Sequence, residues 1–140
     1  MRKLLLLLGL SIASLFCQSQ TATITLKVTN IEEVKGVISI AIFNDSEGFP
    51  AGDNYYIGKK VPVKSKEFEH TFDDIPLGTY AIAIYHDIDK NGEHDKNWFG
   101  IPKEPYGFSY KETGKTGSAK FDEATFKLNE DIVISINLTD

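Results

Sequence analysis

The ten residues from His86 to Asp95, HDIDKNGEHD, hold four acids, two histidines, an asparagine and a glycine. Carboxylates at this density suit a hard cation such as Ca²⁺, which takes six to eight oxygen ligands. Acid–base catalysis and a metal-free polar turn are the other interpretations of such a stretch, because Asp and Asn also fold back on their own backbone. The sequence therefore raises the three possibilities of a metal site, a catalytic cluster and a turn.

The spacing of the acids matches the first part of a calcium loop. Gly92 falls at the sixth position, where the chain must turn sharply with a positive φ. The predicted ligands are Asp87, Asp89, Asn91, the backbone carbonyl of Glu93, and Asp95. Position twelve is Trp98 instead of a bidentate Glu, so the pattern does not predict a complete EF-hand. Another part of the chain must then supply the missing ligand, and Glu104 and Asp122 are candidates.

The three histidines do not form a recognised zinc pattern. His86 and His94 lie eight residues apart across a turn, unlike the helical H-E-x-x-H arrangement, and a third ligand would have to be His70. Ser109 and Ser118 are the serines considered as nucleophiles, and the glycines of a nucleophile elbow surround neither of them. A hydrolase that uses His86 and Asp87 remains an alternative, less favoured than a His86 that hydrogen-bonds at a strand end.

Strand patterns dominate the elements that would position these residues. Period-two alternation or short apolar runs predict seven strands, over residues 21–30, 36–43, 59–64, 66–75, 78–87, 120–129 and 131–138. Residues 121–125 could form one helical turn at most, and Pro62 suits an edge strand. The pattern predicts an all-β fold, an immunoglobulin-like or prealbumin-like sandwich of about seven antiparallel strands. Tyr80, two residues after Gly78, is expected to pack over a tight corner and bond to backbone, as in a tyrosine corner.

One long segment interrupts this regular pattern. Residues 87–120 are rich in Gly, Pro and Lys and carry several aromatic residues. A long ordered loop in a small sandwich is usually functional. Trp98, Tyr106 and Phe108 are candidates for a ligand surface, for example one that binds a carbohydrate, because exposed rings can stack on sugar faces. The alternative is a lid whose rings cap the core.

The first residues resemble a signal peptide. Arg2 and Lys3 precede an apolar run from Leu4 to Phe16, which is too short to span a bilayer comfortably. We predict a signal peptide over residues 1–19 and a single domain over residues 20–140, secreted or periplasmic. A lipoprotein anchored at Cys17 is disfavoured, because Phe16 occupies a position that normally holds Gly, Ala or Ser.

Composition narrows the choice of partners. The formal net charge is −5, and it becomes more acidic when Arg2 and Lys3 are removed with the leader. This balance argues against nucleic acid and anionic membranes as partners, and no second apolar segment predicts a membrane span. Cys17 is the only cysteine, so a disulfide cannot stabilise the domain. An unknown protein or a glycan remains as the partner.

Residues 74–109 resemble the core of a secreted bacterial family known as domain of unknown function 2141. The shared motif runs from the corner through the acidic stretch to a glycine-rich end: Pro76, Gly78, Tyr80, His86, Asp87, Asp89, Asn91, Gly92, Asp95, Gly100, Pro102, Glu104, Gly107, Phe108 and Ser109. The resemblance implies a small exported β-domain and no established activity. Because glycines and prolines restrict the backbone that follows the acids, we expect this loop to fold back and bring Glu104 to the site. The combined prediction is an exported, calcium-stabilised module with a binding or structural role in the cell envelope.

Overall fold

The computed structural model of the protein describes residues 20–94, 103–110 and 118–139. Within these ranges the chain forms eight strands and one helical turn. The strands are β1 (Thr21–Thr29), β2 (Val37–Phe43), β3 (Ile57–Pro62), β4 (Phe68–Pro76), β5 (Gly78–Asp87), β6 (Tyr106–Phe108), β7 (Thr125–Leu128) and β8 (Ile132–Asn137), and the helix is α1 (Phe121–Ala124). The eighth strand, β6, lies inside the long segment for which the sequence predicted no strand.

The strands form two sheets. One has the order β4-β1-β8, and the other has the order β3-β2-β5-β6, with β7 paired to the first half of β5. The prediction of an all-β sandwich is confirmed, and β3 lies at an edge as Pro62 predicted. The prediction of antiparallel strands needs one correction, because β1 and β8 run parallel from Ile24–Ile132 to Thr29–Asn137. A parallel pair requires a long connection, and here nearly the whole domain lies between the two strands.

The core lies between the sheets because alternate side chains of each strand point inward. On β1 these are Ile24, Leu26 and Val28, all with no solvent exposure. Tyr80, Ile82 and Ile84 contribute to the same cluster from β5. This one cluster extends across both sheets, so the burial of apolar area holds the sandwich together without a disulfide.

The outer face of the larger sheet is also partly covered. Ala81, on the outer side of β5, packs with Ala119 and Ala124 in a second apolar cluster. Phe49, Phe108 and Phe121 pack against this cluster. The prediction that β5 is buried on both faces is therefore confirmed over most of its length.

Tyr80 forms the predicted corner. Its hydroxyl donates a hydrogen bond to the carbonyl oxygen of Pro76 at 2.7 Å, and the side chain is 5% exposed. Burial, followed by the neighbouring Tyr56, raises the pKa of Tyr80 above its usual value of 10.0. The corner fixes the turn that feeds β5, the strand that ends at the acidic stretch.

The predicted signal peptide over residues 1–19 lies outside the described residues. Among the described residues, none of the helices is long and apolar enough to cross a membrane.

Candidate functional site

The candidate site begins where β5 ends. Alternation along the strand directs His86 toward the core and places Asp87 on the outer face of the five-stranded sheet, on the same side as Ala83 and Tyr85. His86 is fully buried, and Asp87 is 1% exposed. Asp87 is thus a carboxylate held out of water beside the outer face of the sheet.

The backbone after Asp87 wraps around its carboxylate. The N–H of Asn91 donates to Asp87 Oδ1 at 3.1 Å, and the N–H of Gly92 donates to Oδ2 at 2.9 Å. Asp89 Oδ1 also accepts a bond from the N–H of Asn91, at 3.1 Å. Lys90 and Gly92 have φ values of 61° and 83°, so the predicted sharp turn at Gly92 is present. These left-handed residues turn the chain back toward its first carboxylate.

Glu104 reaches the same point from the other end of the long segment. Its Oε1 accepts a hydrogen bond from the N–H of Ile88 at 2.9 Å. The next residue, Pro105, accepts a bond from the N–H of His86 at 2.8 Å, and β6 follows at once on the edge of β5. The side chain of Glu104 is 5% exposed. The pairing of β6 with β5 therefore brings Glu104 beside the acids that follow β5.

Asp87, Asp89 and Glu104 form a group of carboxylates that we call the acidic cluster. One oxygen from each lies within 4.8 Å of the others. Two oxygens bound on opposite sides of a Ca²⁺ ion at the usual bond lengths are about 5 Å apart, so the spacing of the cluster is compatible with an ion of that size. Among the described residues, no lysine or arginine is within ion-pair distance of Asp87 or Asp89.

The other predicted ligands have different positions. Asn91 Oδ1 accepts a hydrogen bond from the N–H of Glu93 at 2.8 Å, and the Asn91 amide donates to Asp89 Oδ2 at 3.3 Å. The side chain of Glu93 is exposed and is not part of the acidic cluster, and neither is that of Asp122. Asp95 and Trp98 lie outside the described residues. Of the two candidates for the missing ligand, Glu104 is the one that joins Asp87 and Asp89.

The histidines lie in three different environments. His86 Nε2 is 2.7 Å from the carbonyl oxygen of Lys35, as expected for a histidine that bonds at a strand end. His94 stacks on Tyr85 with ring centroids 5.1 Å apart, and its Nε2 is 3.1 Å from the Glu104 carbonyl oxygen. His70 lies on β4, in the other sheet, where burial and then Lys59 lower its pKa from the usual 6.5. The described residues give no group of three metal ligands that includes a histidine.

A groove of about 770 Å³ lies on the outer face of the five-stranded sheet, next to the acidic cluster. Its floor contains Ser39 and Ala41 of β2 and Ala83 and Tyr85 of β5. We call this feature the outer groove. Tyr106 and Phe108, two of the three rings predicted to form a ligand surface, line it and are half-buried.

Comparison with known proteins assigns the chain to a family. A model of DUF2141, described as an uncharacterized protein conserved in bacteria, matches residues 26–135. The chain belongs to the DUF2141 family. Searches of curated proteins and of solved structures found no match. The match runs from the middle of β1 to the middle of β8, and it includes the acidic cluster and the outer groove.

The end of the DUF2141 motif has a structural explanation in this chain. Gly107 packs directly against Ile136 of β8, and a Cβ atom there would overlap that side chain. Ser109 Oγ accepts a bond from the N–H of Ile82 at 2.8 Å and donates to the Ala124 carbonyl at 2.6 Å. These two residues fasten the returning loop to β5, β8 and α1, and so they fix where Glu104 emerges.

Sequence reasoning did not find the floor of the outer groove. Ser39, Ala41 and Ala83 are small residues between large apolar ones, and each taken alone reads as an ordinary outward strand position. The sequence signal that could have identified the floor is the presence of small residues at neighbouring outward positions of two strands. Two neighbouring strands carry small outward residues side by side, since Ala41 lies opposite Ala83 and Ser39 is the preceding outward residue of β2.

Proposed function

We propose that this DUF2141 protein is an exported, non-enzymatic β-sandwich module stabilised by calcium, with a binding or structural role in the bacterial cell envelope. The observation that carries the proposal is the position of Glu104. A carboxylate from beyond the acidic stretch reaches Asp87 and Asp89, with oxygens within 4.8 Å. Asp87 and Glu104 are both at least nine-tenths buried. Like charges in a poorly solvated place repel, and a divalent cation would offset that cost.

The chemistry of the donors favours calcium over transition metals. All three groups offer carboxylate oxygens, which suit hard cations, whereas zinc sites in proteins use mainly Cys and His. Mg²⁺ prefers shorter bonds in strict octahedral geometry and keeps several waters. A cluster spread over two separate chain segments, with one exposed member in Asp89, suits the more flexible coordination of Ca²⁺.

Calcium binding is tested by the melting temperature of the purified protein in millimolar CaCl₂ and in EDTA. A ligand that binds only the folded state at about 100 times its Kd stabilises that state by about 2.7 kcal/mol. We therefore expect melting to rise by several degrees in calcium, with a smaller rise in equimolar MgCl₂. Identical melting curves in CaCl₂ and EDTA, with no heat in a calcium titration, would contradict the calcium part of the proposal.

A second candidate function is carbohydrate binding. Tyr106 and Phe108 are only half-buried and line an open groove, instead of filling the core between the sheets. Partly exposed rings beside polar groups are the kind of surface on which sugars stack. Trp98, the third ring proposed for this surface, lies outside the described residues.

The geometry does not favour the alternative of a hydrolase that uses His86 and Asp87. His86 is fully buried, and its Nε2 is occupied by the Lys35 carbonyl. Both oxygens of Asp87 accept backbone N–H bonds. Neither His86 nor Asp87 is among the described residues that line the outer groove. A general acid or base must reach the substrate, so we do not propose this activity.

A further inference from the structure

We infer that the outer groove is a binding site for a short neutral oligosaccharide, which lies across β2 and β5 between aromatic side chains on the two sides of the sheet. This inference rests on the carbohydrate binding proposed above as a second candidate function, and it deepens that proposal by assigning the path of the ligand across the sheet, its lack of charge and the rings on both sides. It does not require that calcium binds to the acidic cluster. The argument rests on the shape of the groove, the placement of its rings and the balance of its charges.

The shape suits a ligand of about two or three sugar units. Small-molecule sites in proteins usually have volumes of about 300–1,000 Å³, and the outer groove has about 770 Å³. Its floor lies on two central strands with the small side chains of Ser39, Ala41 and Ala83. From β3 to β6 the sheet has three strand spacings, which is about 14 Å. The groove is therefore wide enough for an extended ligand that lies across β2 and β5.

Aromatic rings stand on both sides of this floor. On the β3 side, Tyr55 packs over Gly58 and is 46% exposed. On the β6 side, Tyr106 lies with its ring centroid 5.7 Å from that of His94. Tyrosine offers a rigid apolar face with a polar hydroxyl at its end, which suits a ligand that has both CH faces and hydroxyl groups.

The β6 side is held in place by contacts that do not involve a ligand. The Tyr85 hydroxyl donates to the Gly92 carbonyl at 3.1 Å, and the rings of Tyr85 and His94 stack within 21° of parallel. Tyr106 exchanges two backbone hydrogen bonds with Thr139, each of 2.9 Å. A ligand that enters this groove would find these rings already ordered, which lowers the entropic cost of binding.

The charges favour a neutral ligand. Lys60 lines the groove from β3, and Asp53 and Glu93 line it from two loops. Lys59 pairs with the core residue Ile40, and its charge acts on His70 of the other sheet. One positive and two negative side chains therefore give no attraction for an anion such as a phosphate or a fatty acid. They do provide hydrogen-bond donors and acceptors around the rim, which suit the hydroxyl groups of a sugar.

The test is calorimetric titration of the full protein with cellotetraose, maltotetraose, xylotetraose and chitotetraose, each at millimolar concentration, in CaCl₂ and again in EDTA. We expect at least one of these sugars to bind. Tyr106→Ala and Tyr55→Ala should each weaken that binding about 10-fold. Ala41→Phe, which fills the floor, should abolish it while the circular dichroism melt shows a folded protein.

Tyr56→Ala is the matched control, because Tyr56 is the neighbouring ring, is 44% exposed and does not line the groove. It should leave sugar affinity unchanged. A parallel titration with decanoate tests whether the groove takes a fatty acid instead. The inference is overturned if none of the four sugars binds, or if decanoate binds and the sugars do not. It is also overturned if Ala41→Phe binds the sugar as tightly as the unmodified protein does. Sugar binding that persists in EDTA supports the proposed sugar site, even if calcium does not change the melting temperature. A calcium-dependent melt without sugar binding retains the calcium proposal and rejects this one.

Discussion

At the scale of single residues, Glu104 decides what the acidic stretch can do. Without it, Asp87 and Asp89 belong to a polar turn whose oxygens accept backbone N–H bonds. With it, two nearly buried carboxylates from separate segments share one small volume. Backbone N–H donors offset part of the cost of burying them, and a cation would offset more.

The residue-scale prediction concerns Glu104→Gln. This substitution keeps the shape of the side chain and removes one negative charge from the acidic cluster. We expect the rise in melting temperature with calcium to be largely lost, with an apparent affinity at least about 10-fold weaker, because one of the three carboxylates is gone. In EDTA the variant should melt no lower than the unmodified protein, because a like-charge repulsion has been removed.

The control for this prediction is Glu93→Gln. It removes the same charge from the same segment, but its exposed side chain is not part of the acidic cluster. Its calcium response should be that of the unmodified protein. Equal losses in the two variants would mean that the effect is one of net charge, and would count against a site at Glu104.

The sequence predicted part of the candidate site, and the limits of that prediction are physical. Asp87, Asp89 and Gly92 could be placed because a turn is a local structure that spacing determines. Glu104 and Asp122 were equal candidates by residue type, because no local rule says which distant carboxylate returns. The glycine and proline restrictions of the motif favoured Glu104. The position of Glu104 depends on β6, a three-residue strand with Gly107 at its centre. So short a strand shows almost no alternation in the sequence, and it could not be predicted from the pattern.

At the scale of elements, the acidic cluster depends on how closely β2 approaches the end of β5. Gly36 precedes β2 with a φ of 73°, directly beside the backbone of Asp87 and Ile88. A Cβ atom at Gly36 would overlap the carbonyl oxygen of Asp87. The first turn of the acidic stretch is therefore packed against the start of another strand and cannot shift freely.

The element-scale prediction compares Gly36→Ala with Gly92→Ala. Both glycines have positive φ, so each substitution costs about 1–2 kcal/mol of folding free energy from backbone strain. At Gly36 the new methyl group also meets fixed backbone, whereas at Gly92 its nearest neighbour is the flexible end of Lys60, at 3.6 Å. Urea unfolding should show Gly36→Ala to be the more destabilised by about 2 kcal/mol or more. Similar losses in both variants would contradict the close approach of β2 to β5.

The fold was predictable wherever a strand alternates. Period two gave β1, β5 and β8 nearly to their observed ends, and Pro62 correctly marked an edge. The parallel pairing of β1 with β8 was not predictable, because alternation identifies the inward face of a strand and does not identify its neighbour. Which strand pairs with β1 depends on how all the strands pack around the core.

At the scale of the whole molecule, the outer face of the five-stranded sheet is divided into three zones. Phe49, Phe108 and Phe121 cover one end around Ala81, and the acidic cluster covers the other end at Asp87. The outer groove lies between them. The smaller sheet instead presents polar outward side chains on β1, such as Thr25 and Lys27, so the two outer faces of the sandwich differ in character.

The whole-molecule prediction concerns export. If residues 1–19 are a signal peptide, intact-mass measurement of protein recovered from the periplasm or medium should show Gln20 as its first residue. If cleavage follows Ser19, Cys17→Ser should give the same mass and location, because Cys17 is removed with the leader. Protein that keeps residues 1–19, or a diacylglyceryl mass on Cys17, would contradict this assignment.

The pairing of Tyr106 with Thr139 affects the order in which the parts of the site form, because the ribosome synthesises the chain from its N terminus. β8 lies against β1 at one side, and the residue pair just beyond it holds the returning loop at the other. Thr139 follows every strand along the chain, so these two backbone hydrogen bonds to Tyr106 form after all eight strands have been synthesised. The edge of β6 that faces away from β5 is therefore completed later than the pairing with β5 that positions Glu104.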